Sequence, residues 1–167
     1  TFTDENNEQK YPIILHNSPS GAVERVIYAL LEKFAKQAKN GKKPQFPLWL
    51  APIQVRIIPL KDDFLKFSND LASKLTEYNI RVDIDDRNDT IGKRIRDAEK
   101  EWINYVLVIG EKEVTSSNLS IRDRTTSNVR DLSIENFVKE IKDATKDKPF
   151  SKRNSPILLS ERPQIMV

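Results

Sequence analysis

The residues with the greatest chemical reach lie between Asp85 and Lys100. Arg87 and Asn88 sit among acids in Asp85-Asp86-Arg87-Asn88-Asp89-Thr90, and Lys93, Arg96 and Lys100 follow at steps of three and four. A loop feeding a helix sets backbone N–H donors, the positive end of the helix and guanidinium forks side by side. Such a set suits the phosphates and bases of a nucleic acid, and Asn88 offers a base edge both a donor and an acceptor. A second basic group, Arg122, Arg124 and Arg130, falls on or after a later strand. Unpaired bases are read by hydrogen bonds to their edges and by stacking on aromatic or guanidinium planes, while Lys and Arg hold the backbone. The competing reading is a solvated helix side with intrahelical ion pairs, the commoner fate of a charged stripe.

Other chemistry-bearing residues carry weaker signals. Glu113, in the turn Gly110-Glu111-Lys112-Glu113-Val114, can accept from base N–H groups, although an acid in a tight turn is ordinarily just exposed. His16 is the single histidine, and one imidazole cannot make a zinc site, which needs at least three protein groups. Gly21 to Arg25 puts an arginine on the first turns of a helix, where nucleotide phosphates are sometimes held. There is no glycine-rich phosphate loop, no dinucleotide fingerprint and no Ser-His-Asp set.

The elements that must position these residues read as a strand-helix prelude and then an α/β alternation. Tyr11 to Leu15 predicts a short strand. A helix then begins near Pro19, capped by Ser18 or Ser20, with Val23, Val26, Ile27, Leu30, Leu31 and Phe34 on one side. Lys39 to Pro44 is a charged linker or domain boundary. Ile53 to Ile58 predicts a strand, Phe64 to Tyr78 a helix, and Ile80 to Ile84 a strand of period two. The next helix keeps Ile91, Ile95, Ala98 and Trp102 on the face opposite Lys93, Arg96 and Lys100. Tyr105 to Ile109 is an apolar run suited to a sheet centre, and Leu119 to Arg122 predicts a further strand. Ser133 caps a last helix carrying Ile134, Phe137, Val138 and Ile141, and an extended tail follows Pro149.

Composition bounds the function. With Lys and Arg at 28 against 25 Asp and Glu, the formal charge of +3 is too small for general polyanion binding, so only a local cluster can do it. The chain of 167 residues suits one domain plus appendages, and without cysteine it has no disulfide framework and no thiolate metal site. The absence of cysteine makes a reducing interior, and so a cytoplasmic protein, the expectation, and no apolar run approaches the roughly 20 residues of a membrane helix. The polar start at Thr1, without an initiator methionine, reads as a piece of a longer polypeptide.

Several strings together resemble the C-terminal part of the threonyl-tRNA synthetase family, of archaeal type. They are Ile14-Leu15-His16, Gly21-Ala22-Val23-Glu24-Arg25, Phe46 to Val55, Asp86 to Arg96, Tyr105 to Val114 and Ser120 to Arg124, in the family's order. The resemblance implies a mixed five-stranded sheet flanked by helices, the class II synthetase anticodon-binding domain, preceded by a strand-helix remnant of the catalytic core. It implies domains at 1–45 for the end of that core and linker, 46–147 for anticodon binding and 148–167 for a C-terminal tail. It makes Arg25 the ATP-contacting catalytic arginine and His16 one zinc ligand, the remainder lying outside this chain. Asn88, Arg94, Arg96, Glu113 and Arg122 become the readers of anticodon bases. The complete enzyme would use ATP and zinc to activate threonine and attach it to tRNA(Thr), with homodimer formation as part of that expectation. This piece would bind tRNA, hold neither cofactor and catalyse nothing. The alternative is the same module in a non-catalytic or trans-editing synthetase-like protein.

Overall fold

The computed structural model describes residues 1–17, 21–116 and 118–163, so Ser18, Pro19 and Ser20, the expected start and caps of the first helix, lie outside the described residues. The chain divides into two compact units, Thr1–Lys33 and Phe34–Val167.

In the first unit a small hairpin pairs β1 (Phe2–Thr3) with β2 (Gln9–Lys10). Its turn is closed by Asp4, whose carboxylate accepts the N–H groups of Asn6 and Glu8, each at 2.9 Å. The expected strand Tyr11 to Leu15 is absent, and residues 11–17 have no regular structure. A strand persists only when a neighbour takes up its N–H and C=O groups, and none among the described residues does so. Tyr11, Ile13, Ile14 and Leu15 stand exposed instead. Helix α1 (Val23–Lys39) begins in this unit with Val23, Val26, Ile27 and Leu31 exposed along the predicted apolar side.

The second unit is built on a five-stranded mixed sheet of order β4-β3-β5-β6-β7. The strands are β3 (Val55–Pro59), β4 (Val82–Ile84), β5 (Tyr105–Ile109), β6 (Asn118–Asp123) and β7 (Val129–Ser133). β3 runs parallel to both β4 and β5, whereas β6 is antiparallel to β5 and to β7. A 3-10 turn at Asp62–Phe64 leads into α2 (Leu65–Glu77), which links β3 to β4, and α3 (Ile91–Lys100) links β4 to β5. The short α4 (Glu111–Thr115) follows β5, and α5 (Ile134–Ala144) closes the domain after Ser133 accepts the Asn136 N–H as its cap.

Period two along the strands divides the core into two layers. Val55, Ile57, Val82, Ile84, Leu107, Ile109, Leu119 and Ile121 meet Leu71 and Leu75 of α2 and Phe137 and Ile141 of α5 on one face. Ile58 and Val106 meet Ala98 and Ile95 of α3 on the other. The alternation read at Ile80 to Ile84 separates apolar core from an ion-paired layer, because Arg81 and Asp83 are buried too. β7 had no signal in the residues. Val129-Arg130-Asp131-Leu132-Ser133 is half polar because it is an edge strand with part of its surface in water. The opposite edge, β4, is covered by the tail, where Ile84 bridges Leu158 and donates its N–H to the Ile157 carbonyl at 2.9 Å.

One pH-sensitive contact ties β7 to α5. Arg130 Nη1 donates to Glu140 Oε2 at 2.8 Å, and the Tyr105 hydroxyl donates to Oε1 at 2.9 Å. The Arg130 hydrogen bond holds the Glu140 carboxyl below its ordinary 4.5 against the opposing effect of burial. A depressed carboxyl adds stability that is complete above its unfolded value and fades as pH falls through its folded value. In thermal melts run from neutral to acid pH, Glu140→Gln should therefore flatten the stability loss that sets in below about 4.5. A variant whose acid limb matches the parent's would exclude this contribution.

Candidate nucleic-acid interface

The loop between β4 and α3 is held by its own acids. Asp85 is fully buried, and its carboxylate accepts Arg87 Nε at 2.9 Å and Nη2 at 2.7 Å. Asp97 takes the same guanidinium at 3.3 Å. The Asp85 hydrogen bonds, outweighing burial, push Arg87 above its ordinary value. Arg87 is thus folded inward as a brace, which leaves Asn88 exposed beside it with no side-chain partner among the described residues. Thr90 then caps α3, accepting the Lys93 N–H at 3.4 Å.

Arg94 is buried one turn into α3, where its Nη1 donates to the Asp85 carbonyl at 2.9 Å while its Nε has no partner. Asn88 and Arg94 line a groove of about 560 Å³ whose other wall is Leu60-Lys61-Asp62, the step from β3 to α2. The groove lies at the carboxyl ends of β3 and β4, from which α2 departs to one face of the sheet and α3 to the other. Open α/β sheets bind ligands at such a point. The wall at Leu60 to Asp62 carried no sequence flag. Its signal was positional, a strand ending directly in a helix start.

The β5 loop meets the same sheet end. A Cβ at Gly110 would stand 2.8 Å from Leu60 Cδ1, so the glycine lets the two strand-end loops touch. Glu113 differs from the exposed turn acid that was expected, because the turn is the first turn of a helix. It is buried, with Oε2 accepting the Gly110 N–H at 3.0 Å and Oε1 accepting the Ser120 hydroxyl at 2.7 Å.

On the α3 side of the sheet the guanidiniums of Arg96 and Arg122 have no partner among the described residues. Ile121 packs on the α2 side, so its neighbour Arg122 faces the α3 side, directly across from Val106 of the α3 layer. Arg122 is half-buried and makes no side-chain hydrogen bond or ion pair among the described residues. On α3, Lys93, Arg96 and Lys100 all face solvent, as their spacing predicts. Lys93 pairs with Asp89 at 2.7 Å and Lys100 with Asp97 at 3.9 Å, whereas Arg96 has no partner among the described residues. The rest of the second basic group is committed elsewhere. Arg124 donates to the carbonyls of Pro44 and Glu99, at 2.9 and 2.6 Å, and Arg130 serves Glu140.

Arg25 and His16 belong to the first unit, where both are exposed. Among the described residues no group of three or more His, Cys, Asp or Glu side chains could hold a metal, so the chain's own residues do not make a zinc site around His16. No helix among the described residues is long and apolar enough to cross a membrane.

The chain is 64% identical over 166 residues to the threonine–tRNA ligase of Nitrosopumilus maritimus, covering 99% of this chain and 27% of that protein. It is 51% identical over 164 residues to the threonine–tRNA ligase of Pyrococcus furiosus, covering 98% and 26%. It therefore spans about a quarter of the length of these curated relatives. The crystal structure of the RNA binding domain of threonyl-tRNA synthetase from Cryptosporidium parvum superposes with a TM-score of 0.56 at 25% identity, over 68% of this chain and 27% of that one. Histidyl-tRNA synthetase from Nostoc shares the fold, with a TM-score of 0.52 at 20% identity over 65% of this chain and 26% of that one. The family model described as "Anticodon binding domain" matches residues 54–144, more than half the chain and the whole span from β3 to the end of α5, and by that match the chain belongs to the anticodon-binding domain family.

Proposed function

We propose that this chain reads the anticodon of tRNA(Thr) as the C-terminal part of an archaeal-type threonine–tRNA ligase. The observation that carries the reading is the pair of guanidiniums without a partner among the described residues, Arg96 and Arg122, on one side of a sheet whose strand ends carry the Asn88 groove. Phosphates and base edges are what such free forks recognise. Asn88 and Arg94 serve the groove, Arg96 and Arg122 the neighbouring face. Glu113 acts through its remaining acceptor capacity and by fixing the β5 loop. Residues 46–147 form the reading domain, residues 1–45 the end of the catalytic core with its linker, and residues 148–167 the tail.

In the parent enzyme, a homodimer of the cytoplasm, Arg25 contacts ATP with a guanidinium that has no partner here among the described residues. His16 supplies one ligand to a zinc whose other ligands come from outside this chain. Threonine activation and transfer belong to that parent.

Binding of the tRNA(Thr) anticodon stem-loop to the chain tests the reading, with the same stem carrying a substituted anticodon as comparison. The cognate loop should bind roughly tenfold or more tightly, as expected for one well-made base contact. Equal binding of the two loops at the same salt would remove the claim of base reading.

A further inference from the structure

A second cavity, about 790 Å³, lies at the opposite end of the sheet, where Ala51 to Ile53, Arg81 and Ile103 lead into β3, β4 and β5. Its size falls within the roughly 300–1,000 Å³ of small-molecule sites. Four aromatic side chains line it: Phe46, Trp49, Trp102 and Phe150. Trp102 holds φ of 60°, which a bulky residue seldom adopts, and its ring lies 5.3 Å from that of Phe46.

The charges around this cavity do not balance. Asp83 and Glu101 are answered by Arg56, at 2.8 and 2.6 Å, and by Arg162, which reaches Asp83 at 2.9 Å. Two acids and two guanidiniums thus cancel. Arg81, Lys152 and Arg153, which also line the cavity, have no carboxylate within ion-pair distance among the described residues. Arg81 is buried and spends its donors on neutral carbonyls, those of Ala51 at 2.8 Å and Trp49 at 2.7 Å among them, while Arg153 donates to the Ser155 carbonyl. Burial pulls both guanidiniums below their ordinary value, and for Arg153 burial together with repulsion from Arg162 outweighs the attraction of Asp83. Lys152 is exposed and has no partner among the described residues.

We infer that this cavity is a second RNA site, taking one nucleotide of single strand with its base against the Trp49 and Trp102 indoles and its phosphate between Lys152 and Arg153. Flat aromatic walls beside uncompensated cations are the combination that holds unpaired nucleotides, whereas an acidic peptide would use the cations and leave the rings without a planar partner. The choice of RNA among aromatic anions rests on the anticodon reading, but the cavity lies at the far end of the strands from the Asn88 groove and shares no wall residue with it.

Trp49 and Trp102 are the chain's two tryptophans, so indole emission reports on this cavity and not on the groove. Titrating the full chain with hexauridylate at low salt should shift that emission saturably. The double charge reversal Lys152→Glu with Arg153→Glu should weaken binding roughly tenfold or more and reduce its salt dependence. Lys152 is exposed and Arg153 half-buried, so an unchanged circular dichroism spectrum is required to show that the variant is folded. Arg96→Ala with Arg122→Ala should leave the emission response intact, which separates this site from the anticodon reading: either can fail while the other stands. An absent emission change, a change that survives the double reversal in a folded variant, or an equal response to poly-glutamate would overturn the assignment.

Discussion

Replacing Asp83 by alanine is expected to remove about 3 to 5 kcal/mol of folding stability, the cost of breaking a buried ion pair by deleting one partner. Asp83 is fully buried and accepts Arg56 Nε at 2.9 Å and Nη2 at 2.8 Å. It accepts Arg162 Nη2 as well, at 2.9 Å. Burial alone would depress the Arg56 guanidinium, yet the hydrogen bonds it donates to Asp83 and Glu101 overcome that and push the group above its ordinary value. With the carboxylate gone, Arg56 keeps only Glu101, which is itself 49% exposed and screened. A domain that is stable by roughly 5 to 15 kcal/mol would lose at least about a fifth of its margin. Urea unfolding followed by far-UV circular dichroism measures this. Glu101→Gln is the control, and it should cost much less because water already reaches that carboxylate. If the two variants unfolded at the same urea concentration, the Arg56-Asp83 pair would not be the anchor described here.

The same carboxylate explains a limit on what could be read from the chain. Ile80 to Ile84 looks like a half-wet strand, because Arg81 and Asp83 alternate with apolar residues. That pattern holds only if the polar side meets water, and here it meets Arg56 from β3 and Arg162 from the tail. Both partners come from far along the chain, so no local window reveals them. By contrast α3 and β5 were legible because local pattern and tertiary environment agree: Ile95 and Ala98 meet the sheet, and Tyr105 to Ile109 runs through its middle. Tyr11 to Leu15 failed for the reverse reason, since strand-forming side chains make no strand without a neighbouring ladder. At the interface, residue types identified the forks Arg96 and Arg122 but not the braces. Arg87, Arg124 and Arg130 share their chemistry, and only the folded structure shows them spent on Asp85, on backbone carbonyls and on Glu140. The bland reading of Glu113 as an exposed turn acid failed for the same reason, since its buried carboxylate takes a hydroxyl from Ser120 on the next strand.

The free forks carry the largest expected functional effect. Arg96→Ala and Arg122→Ala should each cost about 1 to 3 kcal/mol of discrimination between the cognate anticodon loop and a substituted one, if each guanidinium makes a specific base contact. The folding penalty should be small. Neither side chain has a protein partner among the described residues to leave unsatisfied; Arg96 is exposed, where truncation usually changes stability by less than about half a kcal/mol, and the half-buried Arg122 loses only the packing of its stem besides. That contrast separates the two kinds of arginine on this face. Arg87→Ala would strip the buried Asp85 of its bidentate partner, so any loss of binding would come with a loss of stability. Arg96 and Arg122 lie on different elements, α3 and β6, and their effects should add within about half a kcal/mol unless both hold the same base. Loop binding by the single and double variants at fixed salt measures this. A uniform weakening toward cognate and substituted loops alike, with a salt slope reduced by about one, would place both side chains on phosphates and leave base recognition to Asn88 and the groove.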